Sequence, residues 1–180
     1  MNSVGLYVHF PFCAAKCPYC DFYSLAADDT VKARYADAAV GTLREMSGQF
    51  GLSFNTVYFG GGTPSVVGAY NIRKIAECAA SVNGGRTVSE FTVECNPSFL
   101  ENGFFGVLAD CGVNRISLGL QSAVNSERRV LGRRGTAADV LKAVSSAMSA
   151  GLANISLDLM LGLPGQTLES LKESVAFCAE

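Results

Sequence analysis

Short apolar runs alternate with longer amphipathic stretches along the chain, and the alternation predicts strands and helices in turn. Residues 5–10 make the first apolar run and lead straight into a cysteine-rich segment. Asp28, Asp29 and Thr30 then offer caps for a helix in which Tyr35, Ala39, Leu43, Met46 and Phe50 recur every three or four positions. A second strand over 55–59 ends at Gly60-Gly61-Gly62-Thr63-Pro64-Ser65, and a helix over about 69–82 follows. The third strand, 88–93, stops at Glu94-Cys95-Asn96-Pro97, and a helix over 99–111 ends at Gly112. A fourth strand covers 114–118, after which Thr136-x-x-Asp139 has the form of a capping box opening a helix that runs to Gly151. Residues 155–160 form the fifth strand, followed by Leu163-Pro164-Gly165-Gln166-Thr167 and a last helix to Glu180.

Strands alternating with helices in this way predict βα units and a parallel sheet, an α/β fold. Five units are visible, without any internal sequence repeat. The fifth helix carries no stop signal, so 1–180 is expected to be the N-terminal part of a longer protein.

Composition narrows the class. Hydrophobic residues make up 49% and charged residues 17% of 180, which fits one ordered domain with a substantial core. Net charge is −2 without a basic run, which argues against nucleic acid as a partner. No apolar stretch reaches the roughly 18 residues of a membrane span. No secretory leader is visible either, and a cytoplasmic protein is expected.

The candidate chemistry begins at Cys13-x3-Cys17-x2-Cys20. Three thiolates at this tight, uneven spacing can hold three irons of a cubane and leave the fourth open to a ligand. A structural zinc site wants four ligands, and the single histidine, His9, precedes Cys13 in a strand. Disulfides fit poorly with seven cysteines and no secretory leader. Cys78, Cys95, Cys111 and Cys178 sit among apolar residues and read as small buried hydrophobes. In parallel βα folds ligands gather at the C-terminal strand ends. The cysteine loop, the glycine triplet, Glu94, Gln121 and Asp158 all fall there. The glycine run is not a phosphate loop, since no Gly-Lys-Ser/Thr follows, but it leaves backbone open to close approach.

The cysteine loop followed by Gly-Gly-Gly-Thr-Pro resembles the radical S-adenosylmethionine (SAM) superfamily. Leu6-Tyr7-Val8-His9-Phe10-Pro11-Phe12-Cys13, Glu94-Cys95-Asn96-Pro97, Ile116 to Ser122 and Asp158 to Thr167 are similar to the branch that holds oxygen-independent coproporphyrinogen III oxidases and HemW-type haem chaperones. The resemblance implies a partial (β/α)6 TIM-like barrel, with 1–180 as its core domain and a sixth strand still to come. It implies a 4Fe–4S cluster on Cys13, Cys17 and Cys20. The cofactor S-adenosylmethionine would chelate the open iron and be cleaved to a 5′-deoxyadenosyl radical. Tyr7, Tyr19, Gly61, Gly62, Thr63, Glu94, Gln121, Arg133 and Asp158 would contact that cofactor, in one copy or shared between two. Carboxylates suit ribose hydroxyls and a guanidinium fork suits a carboxylate. Arg128-Arg129 and Arg133-Arg134 also suggest an anion-facing loop.

Within the branch, the oxidase has a further cysteine two places beyond the third, where Phe22 stands here. The chain also starts almost at its first strand. Both traits resemble the HemW type, which implies haem as cargo, a haem-acceptor protein as partner, and an electron donor such as flavodoxin or ferredoxin. The alternatives are oxidative decarboxylation of a porphyrinogen and a structural metal-binding module. Haem-binding residues are expected beyond Glu180.

Overall fold

The computed structural model describes residues 2–179. Five strands, β1 (Asn2–Phe10), β2 (Leu52–Gly61), β3 (Glu90–Cys95), β4 (Arg115–Gln121) and β5 (Ile155–Leu159), form one parallel sheet in chain order. Between them run α1 (Asp29–Phe50), α2 (Ala69–Val82), α3 (Phe104–Asp110), α4 (Asn125–Val130) and α5 (Ala137–Ser149), and α6 (Leu168–Ala179) follows β5. A strand order without reversal is that of a barrel wall, not of a doubly wound sheet. The expected α/β partial barrel is therefore present. Among the described residues β1 and β5 pair on one side only.

Pleating divides each strand between two environments. Val8 and Phe10, Val57 and Phe59, Phe91 and Val93, and Ile116, Leu118 and Leu120 are buried, most of them in the central cluster with α1, α2 and α3. The alternate positions carry Tyr7 and His9, Tyr58 and Gly60, Thr92 and Glu94, Arg115, Ser117 and Gly119, and Ser156 and Asp158. Register keeps these in rows: Tyr7 pairs with Tyr58, Tyr58 with Thr92, Glu94 with Ser117, and Gly119 with Asp158. One face of the sheet is thus a hydrocarbon floor for helices, and the other is polar across all five strands.

Several elements depart from expectation. Strand β3 begins at Glu90 and includes Glu94 and Cys95, because Glu94 is held by neighbours and does not break the ladder. Gly103, at φ 76°, delays α3 to Phe104, and the intervening stretch forms a turn. The six-residue α4 carries no signal in the sequence, since Asn125–Val130 shows no apolar period. In α1 the buried side is Ala36, Val40 and Leu43, while Met46 and Phe50 are exposed in the last turns. Cys78 and Cys95 are buried as expected and Cys111 half-buried, but Cys178 is exposed on α6, whose buried contact is Ser174.

No helix among the described residues is long and apolar enough to cross a membrane.

Candidate functional site

Beyond the buried Phe10, residues 11–25 make a closed loop. Leu25 N donates to Pro11 O at 3.0 Å and Cys13 N to Leu25 O at 3.1 Å, so the loop's two limbs lie side by side. A turn inside it, Cys20 N to Cys17 O at 3.0 Å, sets the second and third cysteines. The glycine run docks beneath. Gly62 N donates to Phe10 O at 2.8 Å and Thr63 N to Phe12 O at 2.7 Å. A Cβ on Gly62 would stand 2.5 Å from Phe12 O and 2.9 Å from Phe10 O. That glycine is required by close approach of two backbones. Thr63 Oγ1 then lies 3.5 Å from Cys13 Sγ.

His9 fastens the far limb. Its Nδ1 meets the Tyr7 hydroxyl at 3.0 Å and its Nε2 meets Tyr23 O at 3.2 Å. A carbonyl can only accept, so Nε2 carries the proton. With both ring nitrogens engaged, His9 is a strut of the loop and not a spare metal ligand. Its ring also fills the space above Gly61, which sits at φ 110°.

Opposite the cysteines stands a polar wall. Glu94 Oε1 accepts from the Tyr58 hydroxyl at 2.7 Å and Oε2 from Gly61 N at 3.1 Å. Ser117 Oγ donates to Asp158 Oδ1 at 3.0 Å. Strand β4 bulges between Gly119 and Gln121, and Gln121 takes φ 69°. Its carbonyl there accepts from Met160 N at 2.9 Å. A Cβ on Gly119 would meet Arg133 Nη2 at 2.7 Å and Gln121 Nε2 at 2.9 Å, so that glycine leaves room for both side chains.

These parts enclose a cavity of about 330 Å³. Cys13, Cys17 and Cys20 line it, with Tyr19, Gly61, Gly62 and Thr63 on the same side. Glu94, Gln121, Arg133 and Asp158 also line it. Tyr7 does not line the cavity; it is 55% exposed and stacks on Tyr58, with ring centroids 6.0 Å apart. Ser117 and Met160 line it without having been singled out, although counting by twos along β4 from Gly119 reaches Ser117. Arg128 departs from the expected anion-facing loop. Helix α4 turns it inward, where it is 2% exposed and bound to backbone carbonyls.

Burial pushes the Tyr19 phenol up to about 12 against the pull of Arg133, and burial plus the Glu94 hydrogen bond raises Tyr58. Both remain protonated donors at neutral pH.

The donor set fits the two groups that the motif implies. Cys13, Cys17 and Cys20 line one cavity, and a cubane takes one thiolate on each of three irons, so its ligand sulfurs stand apart around a space. Arg133 Nε is buried without a hydrogen-bond partner. Such an orphaned donor in a cavity wall suits an anionic ligand group.

The family description "Radical SAM superfamily" matches residues 7–178. A Lactococcus lactis protein named heme chaperone HemW is 39% identical over 170 residues, 94% of this chain and 44% of that protein. A Bos taurus protein, radical S-adenosyl methionine domain-containing protein 1, mitochondrial, is 35% identical over 92% of this chain and 38% of its own. The chain thus spans less than half the length of these curated relatives. Among solved structures, the coproporphyrinogen III oxidase HemN of Escherichia coli superposes with a TM-score of 0.85 at 25% identity, covering 96% of this chain and 40% of that one.

Proposed function

The chain belongs to the radical SAM superfamily, whose members use a 4Fe–4S cluster and S-adenosylmethionine, and from that premise we propose that Cys13, Cys17 and Cys20 hold the cluster and the facing wall holds the cofactor, with 1–180 as the core domain. The observation that carries this reading is the meeting of all three cysteines with Glu94, Gln121, Arg133 and Asp158 around one cavity.

When bound, the pair supplies one-electron reductive cleavage of a sulfonium. The chain's own residues bind and orient. Thr63 Oγ1, 3.5 Å from Cys13 Sγ, would donate to a thiolate there. Glu94, already fixed by two donors, keeps lone pairs for ribose hydroxyls, and Asp158 does the same from β5. Arg133 presents its fork to a carboxylate. Tyr19, a neutral phenol, lines the cavity beside the cysteines.

The whole protein reads as a haem chaperone of the HemW kind, delivering haem to an acceptor protein and drawing electrons from a flavodoxin- or ferredoxin-like donor. Support comes from the similarity to the L. lactis chaperone and from Phe22 at the place where the oxidase carries another cysteine. The fold likeness to HemN keeps porphyrinogen decarboxylation as the rival reading.

Anaerobic reconstitution tests the site: about four irons per chain are expected, falling sharply in Cys13→Ser, Cys17→Ser or Cys20→Ser. A colourless protein with stoichiometric zinc would overturn the reading. Haem transfer to an apo-acceptor, without consumption of coproporphyrinogen, tests the chaperone role; decarboxylation would favour the rival.

A further inference from the structure

We propose that Arg128 is a positioning residue for the site, holding the turn 131–135 that delivers Arg133 into the cavity and braces the cysteine loop at Pro18. This rests on the reading of Arg133 as the partner of a cofactor carboxylate.

Arg128 ties the turn at two points. Its own carbonyl accepts from Arg133 N at 3.0 Å, and its Nε donates to Gly135 O at 3.0 Å. The other arm of the fork reaches the end of β4, where Nη1 donates to Leu120 O and to Ser122 O at 3.4 Å. One side chain therefore joins the strand carrying Gln121 to the turn carrying Arg133. Within the same turn, Gly132 at φ 69° comes so close to the cysteine loop that a Cβ would lie 3.0 Å from Pro18 Cδ.

No carboxylate is among these hydrogen-bond partners. The adjacent Glu127 faces elsewhere, accepting from Ser122 Oγ at 2.6 Å and Ser170 Oγ at 2.5 Å. A buried cation bound to carbonyls alone is a costly way merely to fill a core. The planar fork is what the geometry uses: three carbonyls on two elements are beyond the reach of one ammonium group. Burial and then the Arg133 charge pull the Arg128 guanidinium down, which places the two cations within each other's field.

The test uses S-adenosylhomocysteine, which keeps the carboxylate and ribose, titrated calorimetrically into cluster-reconstituted protein. Arg128→Lys should weaken binding about tenfold when Arg133 is present and less than about twofold in an Arg133→Met background, as coupled residues behave. Iron content is measured for each variant, and affinities are compared per cluster-loaded chain. No weakening, or equal weakening in both backgrounds, overturns the proposal. A parent protein that binds iron but no S-adenosylhomocysteine overturns the reading of the cavity and this inference with it. Amide exchange in the ligand-free Arg128→Lys protein gives a second measure. Faster exchange confined to 131–135 is expected, and a uniform rise along the chain assigns Arg128 to general stability instead.

Discussion

The Tyr58 hydroxyl donates a 2.7 Å hydrogen bond to Glu94 across the β2–β3 ladder. Because Gly61 N occupies the other carboxylate oxygen at 3.1 Å, the side chain is oriented before any ligand arrives. Orientation in advance reduces what a ligand must order on binding. Tyr58→Phe should leave the fold and the iron content intact and weaken S-adenosylhomocysteine binding about fivefold, roughly 1 kcal/mol for one such bond. Calorimetry on the reconstituted variant checks this, and unchanged affinity would mean that the Tyr58 bond does not prepare Glu94 for a ligand.

Gly62 is held to glycine by contact, not by backbone angle. A methyl group there would press on the carbonyl oxygens of Phe12 and Phe10, at 2.5 and 2.9 Å, and both are backbone atoms that cannot swing away. Gly62→Ala should destabilise by about 1–3 kcal/mol and should also spoil cluster assembly, since the same contact seats the cysteine loop. Urea unfolding and iron content measure the two effects. Normal iron uptake with lowered stability would separate the loop from the glycine run.

Much of this was legible in the sequence, for identifiable reasons. The expected 69–82 helix coincides with α2 because its apolar positions meet the sheet at every turn. The fold class followed from alternation alone. Less visible was the division of each strand into an apolar and a polar face. Tyr58, Thr92 and Ser117 fall between buried apolar residues, and the runs read as uniformly buried strands. The residues around the cavity were found through motifs at strand ends. Tyr7, in the motif before Cys13, lies one layer back from the cavity, against Tyr58 and His9. Arg128 and Arg133 look alike in a basic stretch. A six-residue helix without apolar periodicity turns one inward and leaves the other facing the cavity, and nothing in the local sequence distinguishes them.

Asn83 is a structural residue that no motif announced. It is buried at the end of α2, where Oδ1 accepts from Phe54 N at 2.7 Å. Its Nδ2 donates to Phe54 O at 3.1 Å and Arg86 O at 3.0 Å. Asn83→Leu keeps the bulk and strands these backbone groups. A loss of about 3 kcal/mol is expected, given roughly 1–3 kcal/mol for each buried polar group left unpaired. Chemical denaturation gives the value, and a loss below about 1 kcal/mol would mean that water or a shifted backbone replaces the amide.

Asp139 supplies the pH dependence. Its Oδ2 accepts from Thr136 N and Thr136 Oγ1, both at 2.9 Å, closing the start of α5. Those bonds, from the backbone amide first and the hydroxyl next, hold its carboxyl down from 3.8 to about 2. A folded-state value below the unfolded one means that the ionised carboxylate favours the folded chain. The contribution is complete above 3.8 and disappears as pH falls through about 2. Asp139→Asn should therefore be less stable than the parent at neutral pH, with the gap narrowing between about pH 4 and pH 2. Paired denaturation curves across that range decide the matter. A gap that stays constant with pH would assign the effect of the substitution to lost geometry and not to lost charge.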